Sequence, residues 1–123
     1  MNYILVFIGG GLGSLLRFGI GKIGFLKLLN FPLASFISNI AACLLFGLFF
    51  LLLQKYPKNE WMSPLLLVGI CGGFSTFSTF SLEVLRMIET QTLWNSMIYV
   101  MVSIISTVLF VKFGLLIAQQ FSI

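Results

Sequence analysis

Histidine and aspartate are missing from this 123-residue sequence, and its acids are three glutamates, Glu60, Glu83 and Glu89. Without an imidazole or a close pair of carboxylates, neither a hydrolytic triad nor an acid–base dyad can be assembled. A zinc or iron centre would have to draw on Cys43, Cys71 and those glutamates. An enzyme is therefore not expected. The two cysteines lie inside apolar runs with no CxxC spacing, which reads as small buried hydrophobes rather than a redox pair. Charge is equally scarce: charged residues make up 8% of the chain against 59% apolar ones, and mean hydropathy is +1.12. A soluble domain carries about 25% charged residues, so too little polar surface is available here to face water, and lipid is the expected solvent. Seven Lys and Arg give a net charge of +4 but form no patch, which argues for anchoring at membrane interfaces and against a nucleic-acid partner.

What is present fits four crossings in one domain covering residues 1–123. A spanning helix takes about 20 apolar residues, and the runs predict all-α spans at about 3–20, 33–53, 64–85 and 93–118. No basic stretch or small-residue cleavage site precedes the first run, which reads as a span rather than a signal peptide. It contains Gly9, Gly10, Gly11, Gly13 and Ser14, a density that lets a neighbouring backbone approach closely in lipid. Gly9, Gly13 and Arg17 recur every four residues and so share one side of a helix. Arg17 either snorkels to the interface or faces protein or a water-filled vestibule.

Pro32 opens the second run at a first-turn position where proline is harmless. Along that run Ser35, Asn39, Ala42 and Phe46 share a face. The Asn39 amide is costly in hydrocarbon unless partnered, so it either holds helices together or lines a polar path. The stretch QKYPKNEWMS at 54–63 is an interfacial loop.

The third run is the most informative. Glycines at 69, 72 and 73 precede Ser75, Thr76, Ser78, Thr79 and Ser81, interleaved with Phe74, Phe77 and Phe80. This pattern predicts a helix broken near the bilayer midplane, where irregular backbone survives only if buried in protein or lining a cavity. A kinked helix with its hydroxyls bonded back to carbonyls four residues earlier is the alternative. In the fourth run Tyr99, Ser103 and Thr107 form a hydroxyl stripe that is either a polar track or interhelical glue.

Arg17, Lys22, Lys27 and Arg86 fall on one side of the membrane and Lys55, Lys58 and Lys112 on the other. So small a bias permits insertion in both orientations, and a symmetric antiparallel dimer would follow. The available ligands are hydroxyls, an amide and phenylalanine edges, which suit an anion, while carbonyls freed at the glycine break suit a hard cation such as Na⁺.

GGGLGSLLRF at 9–18, SNIAACLLFG at 38–47 and above all GICGGFSTFSTFSLE at 69–83 resemble the Fluc (CrcB) family of small bacterial fluoride channels, and the resemblance extends over all four spans. It implies an antiparallel, dual-topology homodimer in the bacterial cell membrane, with two pores that pass fluoride passively and keep cytoplasmic fluoride low. It also implies a structural Na⁺ at the dimer centre, held by the main-chain carbonyls of Gly72 and Ser75 of both subunits. Phe77 and Phe80 would line the fluoride path with Asn39, Ser78 and Thr79, and Tyr99, Ser103 and Thr107 would form the fourth-span polar track. Arg17 and Glu83 would act on structure or vestibule electrostatics. Two departures stand out: Ser75 replaces the family's usual threonine, and Val111 ends the hydroxyl stripe. Three other architectures are compatible with four short spans: a heterodimer with a paralogue, an exporter of the small multidrug-resistance type, and a non-conducting structural subunit. The exporter would need a first-span carboxylate, which this chain lacks.

Overall fold

The computed structural model describes residues 1–24 and 31–121; Lys27 and Asn30 of the first connection lie outside them. Long apolar runs with few turn formers give helices, and four of them are long and apolar enough to cross a membrane. Helix α1 covers Asn2–Lys22 and α2 covers Leu33–Lys55. The third crossing is composite. Its first half, α3, winds as a π-helix over Ser63–Cys71 and closes with a short α-turn, Gly72–Phe74. Ser75 (φ −73°, ψ 155°) and Thr76 (φ −147°, ψ 118°) are extended, and α4 then runs over Phe77–Thr90. The chain ends on α5, Leu93–Phe121.

The helices associate in two tight pairs, α1 with α3 and α2 with α5, while α4 leans on α5. Each pair closes on glycines, for the reason expected in lipid: with no hydrophobic drive between helices, close backbone approach supplies the contact energy. Gly9 and Gly13 of α1 meet Gly69 and Gly73 of α3, the same four-residue spacing on both partners. A Cβ on Gly13 would lie 2.7 Å from the Phe74 nitrogen, and one on Gly69 would lie 2.8 Å from the Gly9 Cα. Gly47 and Gly114 play the same part between α2 and α5, where a Cβ on Gly47 would come within 2.9 Å of the Leu115 nitrogen.

Burial is inverted relative to a soluble protein. The most buried side chains include Tyr99, Ser38, Ser96 and Ala42, whereas large apolar side chains such as Phe7, Leu15, Phe18 and Val108 point outward. An apolar exterior this extensive needs lipid or another protein against it. Trp61 and Trp94, both exposed, sit beside the ends of the spans as interfacial anchors.

Candidate functional site

The interrupted segment between α3 and α4 organises the polar groups of the molecule. Thr76 begins α4 by capping it: its Oγ1 accepts the Thr79 N–H at 3.2 Å and donates to Thr79 Oγ1 at 3.0 Å. The backbone of Thr76 is in turn held from α2. Asn39 Oδ1 accepts the Thr76 N–H at 2.8 Å, and Asn39 Nδ2 donates to the Thr76 carbonyl at 3.4 Å. On the other flank Ser14 of α1 donates to the Gly73 carbonyl at 3.5 Å.

These bonds have a consequence for two carbonyls. In an uninterrupted helix the N–H of Thr76 would serve Gly72 and that of Thr79 would serve Ser75, each four residues back. Both N–H groups are diverted, one to Asn39 and the other to Thr76 Oγ1. Gly72 is exposed on the protomer and Ser75 half-buried, and both line one small cleft of about 180 Å³ with Ala42, Cys43 and Phe46. Hard oxygen donors without helical partners are the ligand type an alkali cation takes.

A second cleft, about 260 Å³, opens on the other side of Ser75 and Cys43 and brings together Asn39, Thr76, Phe77, Phe80, Ser103 and Thr107. None of its lining residues is acidic. The rings of Phe77 and Phe80 lie 6.0 Å apart, and Phe80 rests 5.2 Å from the Tyr99 ring. Phe77 is 81% exposed, its ring uncovered by its own protomer. The Ser103 hydroxyl is buried and, apart from its approach to the Tyr99 hydroxyl, makes no hydrogen bond of normal geometry among the described residues.

The fourth-span hydroxyls therefore differ in what they do. Tyr99, fully buried, donates to Glu83 Oε2 at 2.9 Å, and Ser35 of α2 donates to the other carboxylate oxygen. Glu83 thus ties α4 to α2 and α5. Thr107 bonds back to its own helix, at 2.9 Å from the carbonyls of both Ser103 and Ile104, and lines the second cleft by its remaining surface. Ser78 and Thr79 are exposed. Thr79 belongs to a third, larger cleft of about 730 Å³ that also contains Arg17, Ser14, Ser35 and Ser38. Arg17, half-buried, faces that space. Ser14 and Ser35 carry contacts that no spacing rule could expose, because their partners lie 59 and 48 residues away.

Replacing Tyr99 by Phe removes a buried donor and leaves one Glu83 oxygen without its partner. The expected loss is about 1–3 kcal/mol of stability, read as a lower midpoint for unfolding in detergent, with Ser35→Ala producing a loss of the same sign.

A bundle of helices apolar and long enough to span a membrane, with acid-free polar clefts around an interrupted helix, is a multi-pass membrane protein. Within that class the chain belongs to the family described as CrcB-like protein, Camphor Resistance (CrcB), which matches residues 4–115. It is 36% identical over 118 residues to a fluoride-specific ion channel FluC of Phocaeicola vulgatus, covering 93% of this chain and 95% of the relative. A fluoride-specific ion channel FluC of a Caulobacter species is 41% identical over 121 residues, covering 95% and 94%. A Bacillus subtilis protein named fluoride-specific ion channel FluC 2 is 36% identical over 121 residues, covering 96% and 88%.

Proposed function

We propose that this protein is a passive, fluoride-selective channel that lets fluoride leave the cytoplasm. The observation that carries the reading is the acid-free cleft beside the interrupted helix, whose lining offers ring edges and donors and no fixed negative charge. Fluoride is small and strongly hydrated, so a pore has to replace its water with close donors. Candidates on this chain are the second Nδ2 proton of Asn39, the Ser103 hydroxyl and the electropositive rims of Phe77 and Phe80. Ring edges hold an anion weakly, which lets it leave. Thr107, whose proton is engaged by its own helix, contributes shape more than a donor. Thr79 and Arg17 belong to the approach from the larger cleft, where a cation raises the local concentration of anions; Ser78 is exposed and lines none of the three clefts.

The working unit in this reading is an antiparallel homodimer with the interrupted segment near mid-membrane. Support comes from the protomer's exposed Phe77 ring and exposed Gly72, which a second copy would cover, and from the near balance of cations. The carbonyls of Gly72 and Ser75 would hold a structural Na⁺, two from each subunit. The diversion of their helical N–H donors makes this donor set a fit for the ion. When bound, the cation supplies a fixed positive potential beside an otherwise uncharged anion path. An exporter driven by a membrane carboxylate is poorly supported, because both oxygens of Glu83 are taken by Ser35 and Tyr99.

Growth is the direct test. A bacterium lacking its own fluoride-export system should grow in otherwise inhibitory fluoride when this chain is expressed. Continued sensitivity despite membrane-inserted protein would contradict the reading.

A further inference from the structure

Asn39 stands on α2, yet both polar atoms of its side chain engage the backbone of one residue of the interrupted segment, accepting the Thr76 N–H at 2.8 Å and donating to the Thr76 carbonyl at 3.4 Å. Thr76 is buried, 6% exposed, so its N–H has little access to bulk water if the amide is lost. The nearest alternative acceptor by helical geometry is the carbonyl four residues back, on Gly72.

We infer that Asn39 is a positioning residue for the cation site: by capturing the Thr76 N–H it keeps the Gly72 carbonyl free, so one side chain serves the anion cleft and sets cation affinity. The inference rests on the cation reading given above and extends it to a residue that does not touch the cation. Removing the Asn39 acceptor returns the Thr76 N–H to Gly72, re-forms the helix across 72–76 and consumes one of the two carbonyls that each protomer offers. The Ser75 carbonyl gains no competing donor, since Thr79 N–H is held by Thr76 Oγ1 rather than by Asn39, but the turn of Ser75 from its extended geometry (ψ 155°) to a helical one would also swing that carbonyl out of its present position. Asn39 and the Gly72 carbonyl therefore stand in one chain of cause. Cys43 and Ser75, which line both clefts, form the wall between them.

Equilibrium binding of radioactive sodium to the purified full chain, with fluoride efflux measured on the same preparations in liposomes, tests this. Asn39→Leu keeps the branched heavy-atom shape and removes both bonds, and is expected to raise the Na⁺ concentration for half-occupancy about 100-fold, because both subunits carry the substitution and two hydrogen bonds, each worth about tenfold, are exchanged per shared site. Asn39→Asp retains an acceptor for the Thr76 N–H and is expected to bind Na⁺ at the wild-type concentration or below it, while its fluoride efflux falls because a carboxylate repels the anion. A purely structural role for Asn39 would weaken both variants alike. Wild-type sodium binding in Asn39→Leu, or equal weakening in both variants, overturns the inference. A wild-type protein that binds no sodium overturns the underlying cation reading instead, so the two failures are distinguishable. Should Asn39→Leu not elute as a single species, Asn39→Ala supplies the same contrast with Asn39→Asp.

Discussion

Replacing Phe80 by Met is expected to reduce fluoride efflux about 2- to 100-fold, the kinetic equivalent of losing one or two ring-edge contacts at about 0.5–1.5 kcal/mol each. Phe80 touches the Tyr99 ring at 5.2 Å and the Phe77 ring at 6.0 Å, and it lines the acid-free cleft with Asn39 and Ser103. Methionine fills nearly the same volume and keeps the packing against Tyr99, so the protein should fold and insert as before. It carries no electropositive rim, and its thioether is a weak acceptor facing an anion. Ion-selective electrode recordings on liposomes loaded with fluoride give the rate, and unchanged efflux would remove Phe80 from the path. The same substitution at Phe77 is expected to act in the same direction. Its ring is more exposed on the protomer, so the effect there depends on what a partner subunit brings against it.

Gly13→Val is expected to have the largest effect on folding. A Cβ at this position would sit 2.7 Å from the Phe74 nitrogen and 3.0 Å from the Gly73 carbonyl carbon, both backbone atoms that cannot swing aside. Separating α1 from α3 costs about 1–3 kcal/mol or more. It would also move Ser14 away from the Gly73 carbonyl, so the interrupted segment loses a support on one flank. Little folded protein should be recovered from membranes, and what is recovered should unfold at a lower denaturant concentration. Gly11→Val is the matched control: nothing lies within 4 Å of a Cβ there, and wild-type yield is expected.

Much of this architecture is legible in the sequence because lipid imposes simple rules. Runs of about 20 apolar residues fix where helices form, and the glycine spacing of α1 announces a close approach before any partner is known. The matching spacing of Gly69 and Gly73 belongs to the same logic, although it becomes evident only once α1 and α3 lie together. Glycines and hydroxyls mark the third run as irregular, but they do not say which residues leave the helix. That choice falls on Ser75 and Thr76 through Asn39, 37 residues away, and through a cap made by Thr76 itself. Nor does composition distinguish a π-helix from an α-helix over Ser63–Cys71.

The hydroxyl stripe of α5 shows the limit most clearly. Period alone makes Tyr99, Ser103 and Thr107 equivalent. The fold assigns the Tyr99 proton to Glu83 and that of Thr107 to its own helix, and leaves that of Ser103, beside the Tyr99 hydroxyl, in no bond of normal geometry among the described residues. Which hydroxyl is free to meet an ion is decided by neighbours on other helices. Likewise Glu83, rare as an acid within the spans, reads by resemblance as a residue of structure or of vestibule electrostatics, with no partner named. In the structure it is a three-helix tie, bonded to Ser35 and Tyr99 at once.

The scarcity of charge acquires a mechanistic meaning in this light. On the proposed path, a carboxylate in the cleft beside Phe80 would repel the anion that the ring edges and hydroxyls are proposed to attract, and the chain has just three acids, none of them lining that cleft. The measurement that decides the matter is passive efflux from liposomes containing the purified protein, loaded in parallel with fluoride or with chloride. Rapid fluoride efflux with chloride retained is the expected result; no fluoride efflux, or chloride leaving as fast as fluoride, would contradict a fluoride-selective channel.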